Sequence, residues 1–124
     1  MHRDDWWRAL FASIDAKQTS QFLAYLTPDA LFRYGSWPAA IGHEAIGSVV
    51  DQFFASIRSS SHRIIRMWQE PDSAVCKGEV TYARLDGNSV VVPFCNVFEL
   101  RDQKITRYEI YIDPTPLLAG AAPG

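Results

Sequence analysis

The apolar positions change period once along the chain, and that change divides it. In the first half they recur at helical spacing. Trp7, Leu10, Phe11 and Ile14 fall at i, i+3, i+4 and i+7, and Trp6 widens the stripe, which predicts an amphipathic helix. Thr19 or Ser20 suits the N-cap of a second, short helix, with Phe22, Tyr25 and Leu26 on its apolar face. Thr27-Pro28-Asp29 should end that helix, because proline biases the residue before it away from helical backbone. Residues 30–34 read as a strand, and Ser36-Trp37-Pro38 with Gly42 as a loop. Residues 43–58 carry the clearest helical series: Ile46, Val49, Val50, Phe53, Phe54 and Ile57. Ser59-Ser60-Ser61 is expected to close it.

Beyond that point the period is two. Strand-like runs cover 62–69, 74–85, 90–100 and 105–113. Asp86-Gly87-Asn88 marks a hairpin, since glycine supplies the positive φ such turns need. Pro71-Asp72 and Arg101-Asp102-Gln103 mark the other two turns. The tail from Pro114 is rich in Ala, Gly and Pro and is expected to fray. Helices followed by an antiparallel meander make an α+β domain, with the long helix packed on one face of the sheet.

Composition narrows the possibilities. At 124 residues, 1–124 reads as one domain with one core. Hydrophobic residues make up 48% of the chain, enough to fill that core and line a cavity as well. The net charge is −2, with no basic stripe, which argues against a nucleic-acid partner. No apolar run reaches the length of a membrane span or of a signal-peptide core. Cys76 and Cys95 lie inside strands and read as buried free thiols, as expected of a cytoplasmic protein.

Strand parity picks out the chemistry. Val90, Val92, Phe94, Asn96, Phe98 and Leu100 share one face. Asn96 is then a lone amide in an apolar stripe, and an amide buried without a partner costs roughly 2–7 kcal/mol by transfer estimates. Either a neighbouring strand satisfies it or a ligand in a pocket does. In the preceding strand Ala74, Cys76, Gly78, Val80 and Tyr82 point the same way. Ala30, Phe32 and Tyr34 do so in the first strand, and Tyr108, Ile110 and Ile112 in the last. Tyr34 and Tyr82 therefore bring hydroxyls inward, where each needs a partner. Arg107 and Glu109 face outward and read as cross-strand surface partners. His62 opens a strand with Ile64, Arg66 and Trp68 on its side. It is either an ordinary half-exposed residue or a general base. His43, beside Glu44 at a helix start, reads as surface, and His2 as part of a disordered terminus.

Three stretches, in this order of elements, resemble the SnoaL-like branch of the nuclear transport factor 2-like superfamily. FLAYLTPDALFRYGSWP resembles its opening helix–turn–strand. IGHEAIGSVVDQFFASI resembles its G-x-x-A-I long helix. VVVPFCNVFELRDQKITRYEIYID resembles its closing hairpin with a Y-x-D ending. The resemblance implies a cone-shaped, curved antiparallel (mixed) sheet, with the long helix and two N-terminal helices enclosing an apolar pocket. It constrains function less, because the fold hosts isomerases, cyclases, dehydratases, epoxide hydrolases and non-catalytic modules. The base aspartate of ketosteroid isomerases falls on Tyr34, their oxyanion-hole aspartic acid on Asn96 and their oxyanion-hole tyrosine near Leu10. The Arg–Asp–Asp set of limonene epoxide hydrolases falls on Val80, Tyr82 and Ile110. The strand-opening histidine of the scytalone dehydratase-like members matches His62. Asp113 is the one late acidic residue in the place that SnoaL-type cyclases use.

These readings combine into one expectation. The chain is a small-molecule isomerase, cyclase or dehydratase acting by acid/base chemistry on a hydrophobic, carbonyl- or hydroxyl-bearing, polyketide- or steroid-like substrate. His62 is the candidate base, and Asn96 with Tyr34 or Tyr82 the donors to a developing oxyanion. Phe32, Trp37, Phe54, Trp68, Val80, Phe94, Phe98, Tyr108 and Ile110 are the expected walls. No residue pattern calls for a metal or cofactor. The alternative is a non-catalytic ligand-binding or dimerisation domain of the same fold. Val75, Val91, Val97 and Tyr111 make the outer sheet face half apolar, as a homodimer contact would be.

Overall fold

The computed structural model describes residues 4–119; His2 lies outside them. Two helices lead, α1 (Asp4–Asp15) and α2 (Thr19–Leu23), followed by strands β1 (Leu26–Tyr34) and β2 (Ala40–Ile41). The long helix α3 (His43–Ser56) comes next. Four long strands follow: β3 (Ile57–Gln69), β4 (Ser73–Arg84), β5 (Ser89–Arg101) and β6 (Lys104–Ile112). A short α4 (Thr115–Ala119) ends the described chain. The six strands form one mixed sheet in the order β2-β1-β6-β5-β4-β3, with β1 parallel to β6 and the other pairs antiparallel. This is the expected α+β architecture. No helix among the described residues is long and apolar enough to cross a membrane.

The sheet curls round its own inner face, and a single contact measures how far. Tyr34 on β1 and Tyr82 on β4 have two strands between them. In a flat sheet those strands would lie roughly 14 Å apart, at about 4.8 Å per step. Their hydroxyls instead meet at 2.9 Å. The helices fill the concave side. Ile46, Val50 and Phe54 of α3 are buried, as are Leu10 of α1 and Phe22 of α2.

Several boundaries differ from the sequence reading. The long helix stops at Ser56, and Ile57 is already extended at φ −127°. Residues 57–61 pair with β4 from Arg84 to Thr81, so sheet pairing prevails over helix continuation and Ser59-Ser60-Ser61 lies in a strand. Gln18, not Thr19 or Ser20, occupies the cap of α2, and its side chain makes no capping bond. Lys17 turns the chain one residue earlier, at φ 56°. Leu26 and the Thr27-Pro28-Asp29 segment belong to β1 rather than to a helix and its break. There the pairing with β6 shifts register, from Leu26–Ile105 to Leu31–Arg107, and a proline without an N–H is tolerated at such an irregularity.

The tail does not fray at Pro114. Leu117 is buried, and Arg84 donates to its carbonyl at 3.3 Å while also binding Asp86 at 2.6 Å. Cys76 is a buried free thiol, pushed up to about 12 by burial. Cys95 is free but only half-buried, on the outer face. Glu109, read as a surface group, is 8% exposed and held by Arg33 at 2.6 Å and Arg107 at 3.1 Å. His43 is half-buried, with Nε2 3.0 Å from the Leu26 carbonyl.

Candidate active site

The concave face and the helices enclose a cavity of about 60 Å³. Its walls are almost entirely aromatic and aliphatic. Phe22, Phe32, Phe94 and Tyr108 form one side, and Val49, Val50, Phe53 and Phe54 of α3 the other. Trp37, Val80, Ile110 and Ile112 complete it, with Ile14 of α1. Among the described residues the polar side chains in its lining are few: Ser60, His62, Tyr34, Tyr82, Tyr108 and Asn96.

His62 is held by a carboxylate. Its Nδ1 lies 2.6 Å from Oδ1 of Asp15, at the end of α1. The same carboxylate accepts the His62 backbone N–H at 2.9 Å and the Ser60 hydroxyl at 2.8 Å. Burial pushes the Asp15 carboxyl up more than any other single influence. The bonds and charge of His62, with the Ser60 hydroxyl, together outweigh it and hold Asp15 below the ordinary aspartate value. An ionised Asp15 accepts from Nδ1–H, which places the imidazole lone pair on Nε2. Among the described residues no group bonds Nε2. His62 also borders an outer cleft of about 510 Å³ between α1 and β3, lined by Trp7, Arg8, Phe11, Asp15 and Arg66 among others. The dyad thus lies between the inner apolar cavity and an outer cleft of mixed lining.

At another part of the wall the hydroxyls of Tyr34 and Tyr82 hydrogen-bond each other. Burial raises both phenols above their ordinary values. The pair is therefore neutral and retains a hydrogen to donate. Trp37 and Phe53 pack against the Tyr34 ring at 4.8 and 5.1 Å. Asn96 is 1% exposed, and among the described residues its Oδ1 has no hydrogen-bond partner. His62, Asn96, Tyr34 and Tyr82 come from four strands and line one cavity.

The fold and this lining place the chain among known proteins. The model of the SnoaL-like domain matches residues 7–108. The chain belongs to the SnoaL-like domain family, within the nuclear transport factor 2-like superfamily. Solved structures agree on the fold. One is TerC co-crystallised with polyporic acid, at 19% identity, covering 90% of this chain and 91% of that one, with a TM-score of 0.79. A proposed polyketide cyclase of Xanthomonas campestris pv. campestris is 20% identical over 93% of each chain, with a TM-score of 0.81. An LEH-like epoxide hydrolase of M. tuberculosis is 16% identical over 91% of this chain and 84% of its own, with a TM-score of 0.75. At these identities the likeness is one of fold. Among curated proteins, none matches.

The SnoaL-like cavity takes in most of the expected wall: Phe32, Trp37, Phe54, Val80, Phe94, Tyr108 and Ile110 all border it. Two residues do not. Trp68 is 42% exposed on the outer side, stacked under Arg66. An extra residue between Ile64 and Arg66 shifts the β3–β4 register, so Met67 faces Cys76 and Trp68 turns outward. Phe98 points inward but is fully buried between Trp7 and Tyr108, each 4.6 Å away. Asp113 is exposed and bonds the Thr115 N–H at the start of α4. Leu10, where ketosteroid isomerases keep a tyrosine, is fully buried core.

Sequence reasoning missed Asp15. A signal was present: it continues the apolar face of α1, four residues after Phe11 and eight after Trp7. A carboxylate on the buried stripe at a helix C-terminus, where the dipole disfavours it, needs a partner. Among the described residues no three His, Cys, Asp or Glu side chains gather as a metal site requires.

Proposed function

We propose that this SnoaL-like chain is a cofactor-independent acid/base enzyme, an isomerase, cyclase or dehydratase of hydrophobic carbonyl- or hydroxyl-bearing molecules. The single observation behind this reading is the Asp15–His62 pair at the wall of an apolar cavity that also holds Asn96 and a neutral tyrosine pair. Nε2 of His62 takes a proton from a carbon next to the substrate oxygen. Asp15 positions the ring and balances the imidazolium. The Tyr34–Tyr82 pair and the Asn96 amide donate to the oxygen on which charge develops. The proton returns from Nε2 to another carbon in isomerisation, or to a departing hydroxyl in dehydration. The low-dielectric walls strengthen each of these interactions.

A non-catalytic ligand pocket is the competing reading. It draws support from Tyr34 standing where ketosteroid isomerases carry their carboxylate base. Turnover decides between the two. A panel of cyclic enones, β-hydroxy ketones and epoxides, assayed with wild type and His62→Ala, should show loss of about 10²–10⁴-fold for at least one substrate class. Equal turnover by both proteins would sink the assignment of His62.

A homodimer is proposed through the outer sheet face. There Val91 and Tyr111 are more than half exposed, and Val75 and Val97 are half-buried. A monomeric mass at micromolar concentration would contradict it. The free thiols suit a reducing compartment such as the cytoplasm.

A further inference from the structure

One buried polar atom has no role in the proton-transfer steps. Oδ1 of Asn96 accepts no hydrogen bond, although the residue is 1% exposed and lines the cavity. Neither of its cross-strand neighbours, Ile110 and Cys76, hydrogen-bonds it. A carbonyl oxygen left this way is disfavoured, so the fold reserves it for a molecule that brings a donor.

The rest of the cavity limits that molecule. No Lys or Arg is among its lining residues. Burial holds the phenols of Tyr34, Tyr82 and Tyr108 in their neutral form. The fixed charge beside His62 is the Asp15 carboxylate, which repels anions. Rings of Phe22, Phe32, Phe94 and Tyr108 provide flat apolar walls.

We infer that the ligand is a neutral ring compound carrying a hydroxyl group that donates to Oδ1 of Asn96. This rests on the proton-transfer reading and narrows it: hydroxyl-bearing substrates are selected over those with a bare carbonyl. A carbonyl has no hydrogen for Oδ1 and leaves it unpartnered, which is how a polar site rejects an analogue. A hydroxyl both donates and accepts, so it satisfies the amide in either orientation.

Three one-ring probes test this by binding alone. Phenol, anisole and benzoate are titrated into wild type, Asn96→Leu and Trp68→Ala, following protein amide resonances by NMR. Phenol should bind about tenfold tighter than anisole, or about 1.4 kcal/mol, with benzoate weakest. The phenol-to-anisole ratio should fall to about one in Asn96→Leu and stay about tenfold in Trp68→Ala, whose substitution lies off the cavity. Equal wild-type affinities, tightest binding of benzoate, no binding of any probe, or a ratio that survives Asn96→Leu would each overturn the inference. Should Asn96→Leu fail to fold, the wild-type ratio decides. Because no turnover is involved, failure here is separate from failure of the catalytic reading.

Discussion

Replacing Asp15 by alanine tests the dyad without any substrate. The carboxylate accepts three hydrogen bonds: from the His62 ring, from the His62 backbone and from Ser60, at 2.6, 2.9 and 2.8 Å. Hydrogen bonds to charged groups contribute roughly 1.5–3 kcal/mol each. The Asp15 side chain is 26% exposed, so water replaces part of what is lost. A net loss of about 2–4 kcal/mol follows. With a urea m-value of about 2 kcal/mol/M, the unfolding midpoint should fall by about 1–2 M at pH 7. The effect has a pH signature. Asp15 binds its proton less tightly when folded than when unfolded. Its contribution is therefore full above the ordinary aspartate value, about pH 4, and is lost as pH falls through the lower folded value. The midpoint difference between wild type and Asp15→Ala should shrink toward pH 3. A shift below about 0.3 M at pH 7, or one of equal size at pH 3 and pH 7, would contradict a stabilising, ionised Asp15 beside His62.

Two further substitutions test the placements around the site. At Gly78 a Cβ would sit 2.3 Å from the Arg63 carbonyl oxygen, so Gly78→Ala must displace the β3–β4 register shift; a loss of about 3 kcal/mol and about 10 °C in Tm is expected by thermal denaturation, and a change under about 2 °C would contradict the geometry. Phe98→Ala should lose about 3–5 kcal/mol and Trp68→Ala less than about 1; similar losses in urea denaturation would contradict the buried and outward placements of the two rings.

How much of this was legible in the sequence depended on the range over which each signal acts. Alternation is local, so the inward faces of β1, β4, β5 and β6 followed from it, and with them the burial of Tyr34, Tyr82 and Asn96. The inserted residue in β3 is invisible to alternation, and it reversed the side of Trp68. The end of α3 was misplaced because Ile57 fits the helical series and a strand equally well; pairing with Arg84, far along the chain, decided it. Phe98 had the right parity, but only packing against Trp7 of α1 shut it off from the cavity. Asp15 and His62 lie 47 residues apart, and no local pattern joins them.

That separation bears on how the molecule comes into being. The Tyr34–Tyr82 bond closes a stretch of 48 residues and the Asp15–His62 bond one of 47. Contacts so distant in sequence form only after the entropy of closing long loops has been overcome, and domains rich in them fold slowly. The groups that line the cavity belong to α1, α2, β1, α3 and each of the strands β3 to β6, so neither half of the chain contains the site. Recognition of a ligand would then report completion of folding itself, and a chain emerging from synthesis would acquire the cavity only once β6 had joined the sheet between β1 and β5.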